Sequence, residues 1–203
     1  MAQESIMSLI QSHSESINKH PRILDIGCGA AKISGAMGID VRPGPGVDVV
    51  HDLNVYPWPL EDNTFDKCIF NGSLECLDSI LKSMEEVHRI TRPGGRVEIH
   101  TTHFAASNSY WDPLQKWRFS YYTFDYFLED FTYPIYTDRK YRMIRKEFIF
   151  SRKWGLGKIL STFSPRRYEK YYARRFPPYR LSFELEVVKG ASGVEKNRLG
   201  DHT

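Results

Sequence analysis

The chain has 203 residues, 41% hydrophobic and 26% charged, which is the make-up of one folded domain of the larger kind and excludes a wholly disordered or collagen-like chain. At this length about 70% of the unfolded surface is buried on folding, so no disulfide or metal staple is required. The net charge is only +3, yet Asp138–Arg180 holds 14 Lys and Arg against three acids, giving +11 there and −8 elsewhere, and that asymmetry points one face toward something anionic or leaves it as a solvated basic surface.

Residues 4–18 carry Ile6, Met7, Ile10 and Ile17 at near-helical spacing, which predicts a short amphipathic helix. Arg22–Gly27 (RILDIG) is an apolar run of strand length that ends in glycines and small residues, and Val47–Val50 and Phe65–Phe70 are further strand-like runs. Ile80, Leu81, Met84, Val87 and Ile90 recur at threes and fours and predict a helix stopped by Pro93, with His88 on its surface. Arg96–Thr102 alternates as a strand. Thr123–Phe131 reads as a helix capped by Thr123, and Ser164-Pro165 opens a basic helix through about Arg175. Phe148 and Phe150, then Leu181–Val187, alternate and predict two late strands that close the sheet as an antiparallel edge pair. The expected fold is α/β: a Rossmann-like, mostly parallel twisted sheet with helices on both faces. It forms one domain over residues 1–190, followed by a polar, mobile tail over 191–203.

Leu24-Asp25-Ile26-Gly27-Cys28-Gly29-Ala30-Ala31 is the most informative segment. Glycines after a buried strand let the backbone turn tightly and approach a ligand. Lys32 stands where a dinucleotide fingerprint needs its third glycine, and no glycine-lysine-Ser/Thr triplet follows to make a P-loop. A nucleoside without phosphates remains. No apolar run reaches 18 residues, and the first ten lack a signal-peptide pattern. The three cysteines, Cys28, Cys68 and Cys76, are odd in number without metal-type spacing. A cytoplasmic protein without a metal site is expected.

The glycine segment resembles the first motif of class I S-adenosylmethionine-dependent methyltransferases. Companions in the family's order are Gly38-Ile39-Asp40, His51-Asp52-Leu53-Asn54, Pro59–Asp66 and Arg92-Pro93-Gly94-Gly95. Only ten residues separate Gly29 from Asp40, which resembles a compact subgroup of the type-11 methyltransferase family with a shortened first helix. Asp112-Pro113, Phe124–Phe127 and Phe183–Lys189 also resemble this subgroup. The resemblance implies S-adenosylmethionine as cofactor and S-adenosylhomocysteine as product. It assigns Asp25, Gly27, Cys28 and Gly29 to the cofactor loop, Asp40 with Val41 to the ribose, Asp52 and Leu53 to adenine, and Asn71 and Gly72 to the methionine end.

Where the subgroup usually reads His-Val-Leu-Glu-His-Leu, this chain reads Gly72-Ser73-Leu74-Glu75-Cys76-Leu77, and Gln115 replaces a histidine after Asp-Pro. The acceptor chemistry is therefore expected to differ, or the protein binds cofactor as a non-catalytic module. His103, after the fifth family strand, is the candidate general base, with a satisfied loop histidine as the alternative. Glu75 is expected to cap the following helix. Tyr110, Trp111, Trp117 and Tyr121 form an acceptor pocket or a packed lid. The basic stretch, with Arg167 and Arg174 paired on one helix face, predicts an anionic small-molecule or glycan-type acceptor methylated at oxygen. RNA is the alternative acceptor, and peripheral membrane contact through the same stretch is a further expectation.

Overall fold

The structure is a computed structural model that describes residues 21–131, 136–152 and 155–190. The helix expected over residues 4–18 and the tail over 191–203 lie outside these residues. One seven-stranded sheet runs in the order β3-β2-β1-β4-β5-β7-β6. Its strands are β1 (Ile23–Ile26), β2 (Met37–Asp40), β3 (Val49–Val50), β4 (Phe65–Asn71), β5 (Thr91–Thr101), β6 (Lys140–Ile149) and β7 (Arg180–Val188). β3, β2, β1, β4 and β5 pair in parallel, and β7 runs antiparallel to both β5 and β6. Strand order reverses between β1 and β4, which opens a crevice at their carboxyl ends.

β1 is buried after its first residue because neighbours pair on both its sides. Among the described residues no helix joins β1 to β2; residues 27–36 turn directly back, in line with the shortened helix. Helix α1 (Ile80–Ile90) starts where the Ser79 hydroxyl accepts the Lys82 N–H at 3.2 Å. Ser79, not Glu75, is thus the cap, which corrects the expectation for Glu75. α1 lays Met84, Val87 and Ile90 into a continuous core with Leu24, Phe70, Val97 and Phe183. It stops at Thr91, and β5 runs back through Arg92–Gly95 by shifting register against β4 between Phe65 and Lys67. No helix among the described residues is long and apolar enough to cross a membrane.

The second half departs further from the sequence pattern. Thr123–Phe127 is a 3-10 turn, not an α-helix through Phe131. Such a turn aligns positions three apart, which places both Phe124 and Phe127 in the core. The Thr123 hydroxyl accepts from the Ser120 amide instead of capping. Helix α2 (Gly155–Phe163), which the pattern did not suggest, packs before α3 (Pro165–Tyr171). α3 is capped by Ser164 with Pro165 in its first turn, as expected, but it ends four residues early. There the Tyr168 carbonyl receives both the Tyr172 and Ala173 amides, while the Tyr168 hydroxyl donates to Phe176 O at 2.7 Å. β6 is an outer strand. Its Tyr141 end is covered by Leu128 and Glu129, and its register shifts between Met143 and Arg145.

His88 corrects the surface expectation. Its ring is 3% exposed, stands edge-on to Tyr141 and donates from Nε2 to Val188 O at 3.1 Å. Burial pushes its pKa from 6.5 down to about 4. The unfolded chain therefore binds more protons than the folded one inside that window, so stability is whole above its upper limit and falls as the pH drops through it. A shift of this size corresponds to about 3 kcal/mol. In urea unfolding at pH 7.5 and pH 4, wild type should lose up to about 3 kcal/mol more than His88→Leu. Equal losses would show that His88 does not titrate in this way.

Candidate active site

The crevice at the strand reversal is built from three loops. After β1, Gly27 and Gly29 take left-handed φ of +70° and +54°, a region where side chains with a Cβ are strained. The Gly27 amide continues the pairing with β2 by donating to Ile39 O at 2.8 Å. A Cβ at Gly27 would stand 2.5 Å from the Ser73 Cβ, whereas one at Gly29 would point into open space. Gly27 is thus required by packing. Gly29 keeps clear a backbone surface that a ligand can approach.

Carboxylates brace this loop. Asp25, 2% exposed, accepts the Ile33 amide at 2.8 Å; burial raises its pKa against that amide and Lys32. Asp40, at the end of β2, accepts the Gly29 and Arg42 amides, each at 2.9 Å. Lys32 bonds Asp48 at 2.8 Å, and Asp48 also takes the Gly38 amide at 2.7 Å; the Lys32 bond leads the lowering of its pKa. Lys32 therefore ties the β1–β2 turn to the segment entering β3 instead of projecting toward a phosphate.

These loops enclose a cavity of about 790 Å³, within the usual range for ligand sites. Its walls come from Gly27, Gly29 and Ala30; Asp40–Val47 in large part; Asp52–Asn54; Gly72, Ser73, Cys76 and Leu77; and Asp112, Leu114 and Lys116. Asp52 Oδ1 accepts the Asn54 amide at 2.9 Å, and Asn54 Oδ1 takes the Asp78 amide at 2.7 Å, so the β3 loop is fastened to the turn before α1. Arg180 stands at the Gly72 corner, with its guanidinium 3.8 Å from where a Gly72 Cβ would lie and 3.4 Å from Asn71 Oδ1.

A family model described as "Methyltransferase domain" matches residues 2–137. The chain belongs to this methyltransferase family. It is 27% identical over 114 residues to malonyl-[acyl-carrier protein] O-methyltransferase of Pectobacterium atrosepticum, covering 48% of this chain and 43% of that protein. It is 33% identical over 57 residues to demethylmenaquinone methyltransferase of Lysinibacillus sphaericus, covering 28% and 24% respectively. The chain thus spans less than half the length of these curated relatives. The solved SAM-dependent methyltransferase from Archaeoglobus fulgidus shares the fold at TM-score 0.54 and 17% identity, over 90% of this chain and 93% of that one.

Seven of the residues expected to hold the cofactor line the crevice: Gly27, Gly29, Asp40, Val41, Asp52, Leu53 and Gly72. Three stand behind it. Asp25 braces the loop from the buried side, Cys28 packs with its Sγ 4.0 Å from Gly46 O, and Asn71 meets Arg180. The Pro43–Gly46 loop and Lys116 were not singled out in the sequence, whereas Ser73 and Cys76 belong to the Gly72–Leu77 segment that departs from the family pattern. The Pro-Gly repeat and Asp112-Pro113 were the available signals for two of these walls. Tyr110 and Trp111 are exposed outside the cavity; Trp117 is fixed beside it by donating Nε1–H to Leu77 O at 2.8 Å. Arg167 and Arg174 do not form the expected pair, because α3 ends before Arg174. A second cavity takes Arg166 and Arg174, and Arg167 lines neither cavity.

His103 is fully buried. Its Nδ1 accepts the Ala105 amide at 3.1 Å, which assigns the ring proton to Nε2, where Glu169 Oε1 lies at 3.0 Å. Glu169 also takes the Ser120 hydroxyl and the Tyr121 amide. Burial alone would raise its pKa, but these three donors bring it below the ordinary value. With both nitrogens engaged, the histidine is a strut between the end of β5 and α3, and the geometry gives it no free lone pair for an acceptor proton. Glu75 is likewise inward: its carboxyl lies by Thr101, is raised in pKa by burial, and leaves Oε2 without a hydrogen-bond partner. His103→Ala should cost about 1.5–3 kcal/mol in denaturant unfolding from the bond to charged Glu169 alone. An unchanged midpoint would overturn the strut.

Proposed function

We propose that the protein transfers a methyl group from S-adenosylmethionine to an oxygen of a small anionic acceptor of sugar or organic-acid type. The observation that carries this reading is the crevice at the β1/β4 reversal, where an open glycine backbone faces Asp40 and Asp52. Gly29 leaves room for the cofactor's approach, Asp40 is placed to accept its ribose hydroxyls, and Asp52 with the Leu53 side chain to hold adenine. Gly27, Gly72 and Ser73 border the methionine end. When bound, the cofactor supplies a methyl already activated by a sulfonium.

The residues of the chain then have to orient the acceptor and keep water out. Arg180, at the Gly72 corner, is a cation placed for this, with Arg42 and Lys116 on the cavity walls. Arg180 overlooks Gly72, hydrogen-bonds the neutral Asn71 amide and acts electrostatically on the buried Glu75 carboxyl, with no ion pair among the described residues. A planar guanidinium can hold two oxygens of a carboxylate or phosphate. No histidine among the described residues lines the cavity, which favours an acceptor oxygen that is ionised before it binds. One relative is by name an O-methyltransferase, which supports oxygen as the acceptor atom. The free thiols Cys28, Cys68 and Cys76 suit a reducing compartment such as the cytoplasm.

The test is formation of S-adenosylhomocysteine with a panel of sugar phosphates and carboxylates. Cofactor binding with no turnover on any acceptor, a cell extract included, would make the protein a non-catalytic module. Asp40→Ala should weaken S-adenosylmethionine by about 10- to 150-fold in calorimetry, the effect of one lost bond to a charged group; an unchanged affinity would remove Asp40 from the site. Arg180→Ala should raise the acceptor's KM by about tenfold or more while sparing cofactor affinity. The wild-type kcat should stay level from pH 8 to pH 6, where an enzyme using a histidine base would slow.

A further inference from the structure

A second cavity, of about 660 Å³, lies beside α3 and shares no lining residue with the crevice. Arg166 and Lys170 stand one helical turn apart on α3 and so face the same way; Arg174 joins them because the chain folds back at Ala173. Among the described residues neither Arg166 nor Arg174 makes an ion pair or side-chain hydrogen bond, and Lys170 lies only over the Tyr171 ring, at 4.9 Å. The two acids on the same walls are already committed. Asp125 holds Lys146 at 2.7 and 3.0 Å, and Glu169 takes His103, Ser120 and the Tyr121 amide. Lys146 meets the charge of Asp125, whereas Glu169 keeps its charge among neutral donors, so the cavity presents three cations against one carboxylate and stays net positive.

Its other walls are aromatic. Tyr122, Tyr126 and Tyr171 line it, and the last two remain 49% and 64% exposed. Lys146 lies over the Tyr122 ring and Lys170 over that of Tyr171, and the half-exposed tyrosines beside net positive charge suit a ligand with both a flat ring and an anion, since stacking and charge-assisted hydrogen bonds each act on one part of it. We propose that this cavity is a second ligand site, for a small molecule in which a phosphate is joined to a planar ring, as in a nucleoside monophosphate. This goes beyond the methyl-transfer reading, because the site shares no wall with the crevice.

The probe is AMP, titrated by calorimetry into the whole protein saturated with S-adenosylhomocysteine, so that the crevice cannot take the nucleoside. Binding of S-adenosylhomocysteine is measured first. Should it not bind, the crevice reading fails by itself, and the AMP titration is repeated on Asp40→Ala to exclude binding there. The expected result is saturable AMP binding at least tenfold tighter than that of adenosine or inorganic phosphate. It should weaken at least tenfold in Arg166→Ala/Arg174→Ala and be unchanged in Arg175→Ala, with the melting temperatures of both variants recorded. No binding by AMP, equal affinity in the double variant, or phosphate binding as tightly as AMP would each overturn the proposal. So would a single-stranded oligonucleotide that binds more tightly than AMP and loses that affinity in the double variant.

Discussion

The closeness of Gly27 to Ser73 is the constraint on which the rest of the crevice depends. The two central strands leave the sheet side by side, and their loops touch where any Cβ at Gly27 would stand 2.5 Å from that of Ser73. The Ser73 hydroxyl donates back to the Ile26 carbonyl across this contact, so the floor of the cavity is a joint between β1 and β4. Everything placed around it takes its position from the same joint. Asp40 reaches the Gly29 amide because the loop has turned, and Arg180 overlooks Gly72 because β4 ends beside that turn. The left-handed backbone at Gly27 is thus a packing requirement first, with its use in binding following from it.

The charge map gains meaning from the structure. Only a small part of the +11 stretch is neutralised locally: Arg142 pairs with Glu129 and Glu186, Arg145 with Glu184, and Lys146 with Asp125. Such exposed pairs add little stability individually, but they decide which cations are left over. Of those left, Arg180 stands at the Gly72 corner and Arg166, Lys170 and Arg174 line the cavity beside α3, while Arg139, Lys140, Arg152, Lys158, Arg167 and Arg175 have no ion pair among the described residues. Glu169 links the two regions' supports, because the carboxylate that anchors His103 at the end of β5 also forms a wall of the cavity beside α3.

The first half of the chain was readable because each of its signals is local. Buried strands on both sides read as short apolar runs, as in Ile23–Ile26, and Gly27, Gly29 and Asp40 sit at the ends of such runs. Asp25 was harder to place: the same residue type at the same spacing serves the ligand or the loop, and only its bond to Ile33 decides. His88 and Glu75 were misjudged, and His103 was left open between a base and a satisfied histidine, for a related reason. Their partners lie 66 and 100 positions away for the two histidines, and for Glu75 on the end of β5, so no window of sequence contains the interaction that buries them. The same holds for α3. Its stop at Tyr171 is set by the Tyr168 hydroxyl reaching Phe176, a contact that helical periodicity through Arg175 does not encode.

The outer strand β6 has a consequence for how the protein behaves in crowded solution. A ten-residue border strand offers its unpaired backbone to any other chain that approaches. Here the Tyr141 end is covered by Leu128 and Glu129, the run is bent at Ile144, and Lys140, Arg142, Arg145 and Lys146 are set along it. A second copy pairing along this border would have to take water from these cations and from the Glu129, Glu184, Glu186 and Asp125 carboxylates that hold three of them. Charged side chains along an open strand thus oppose sheet-to-sheet joining through desolvation as well as through repulsion.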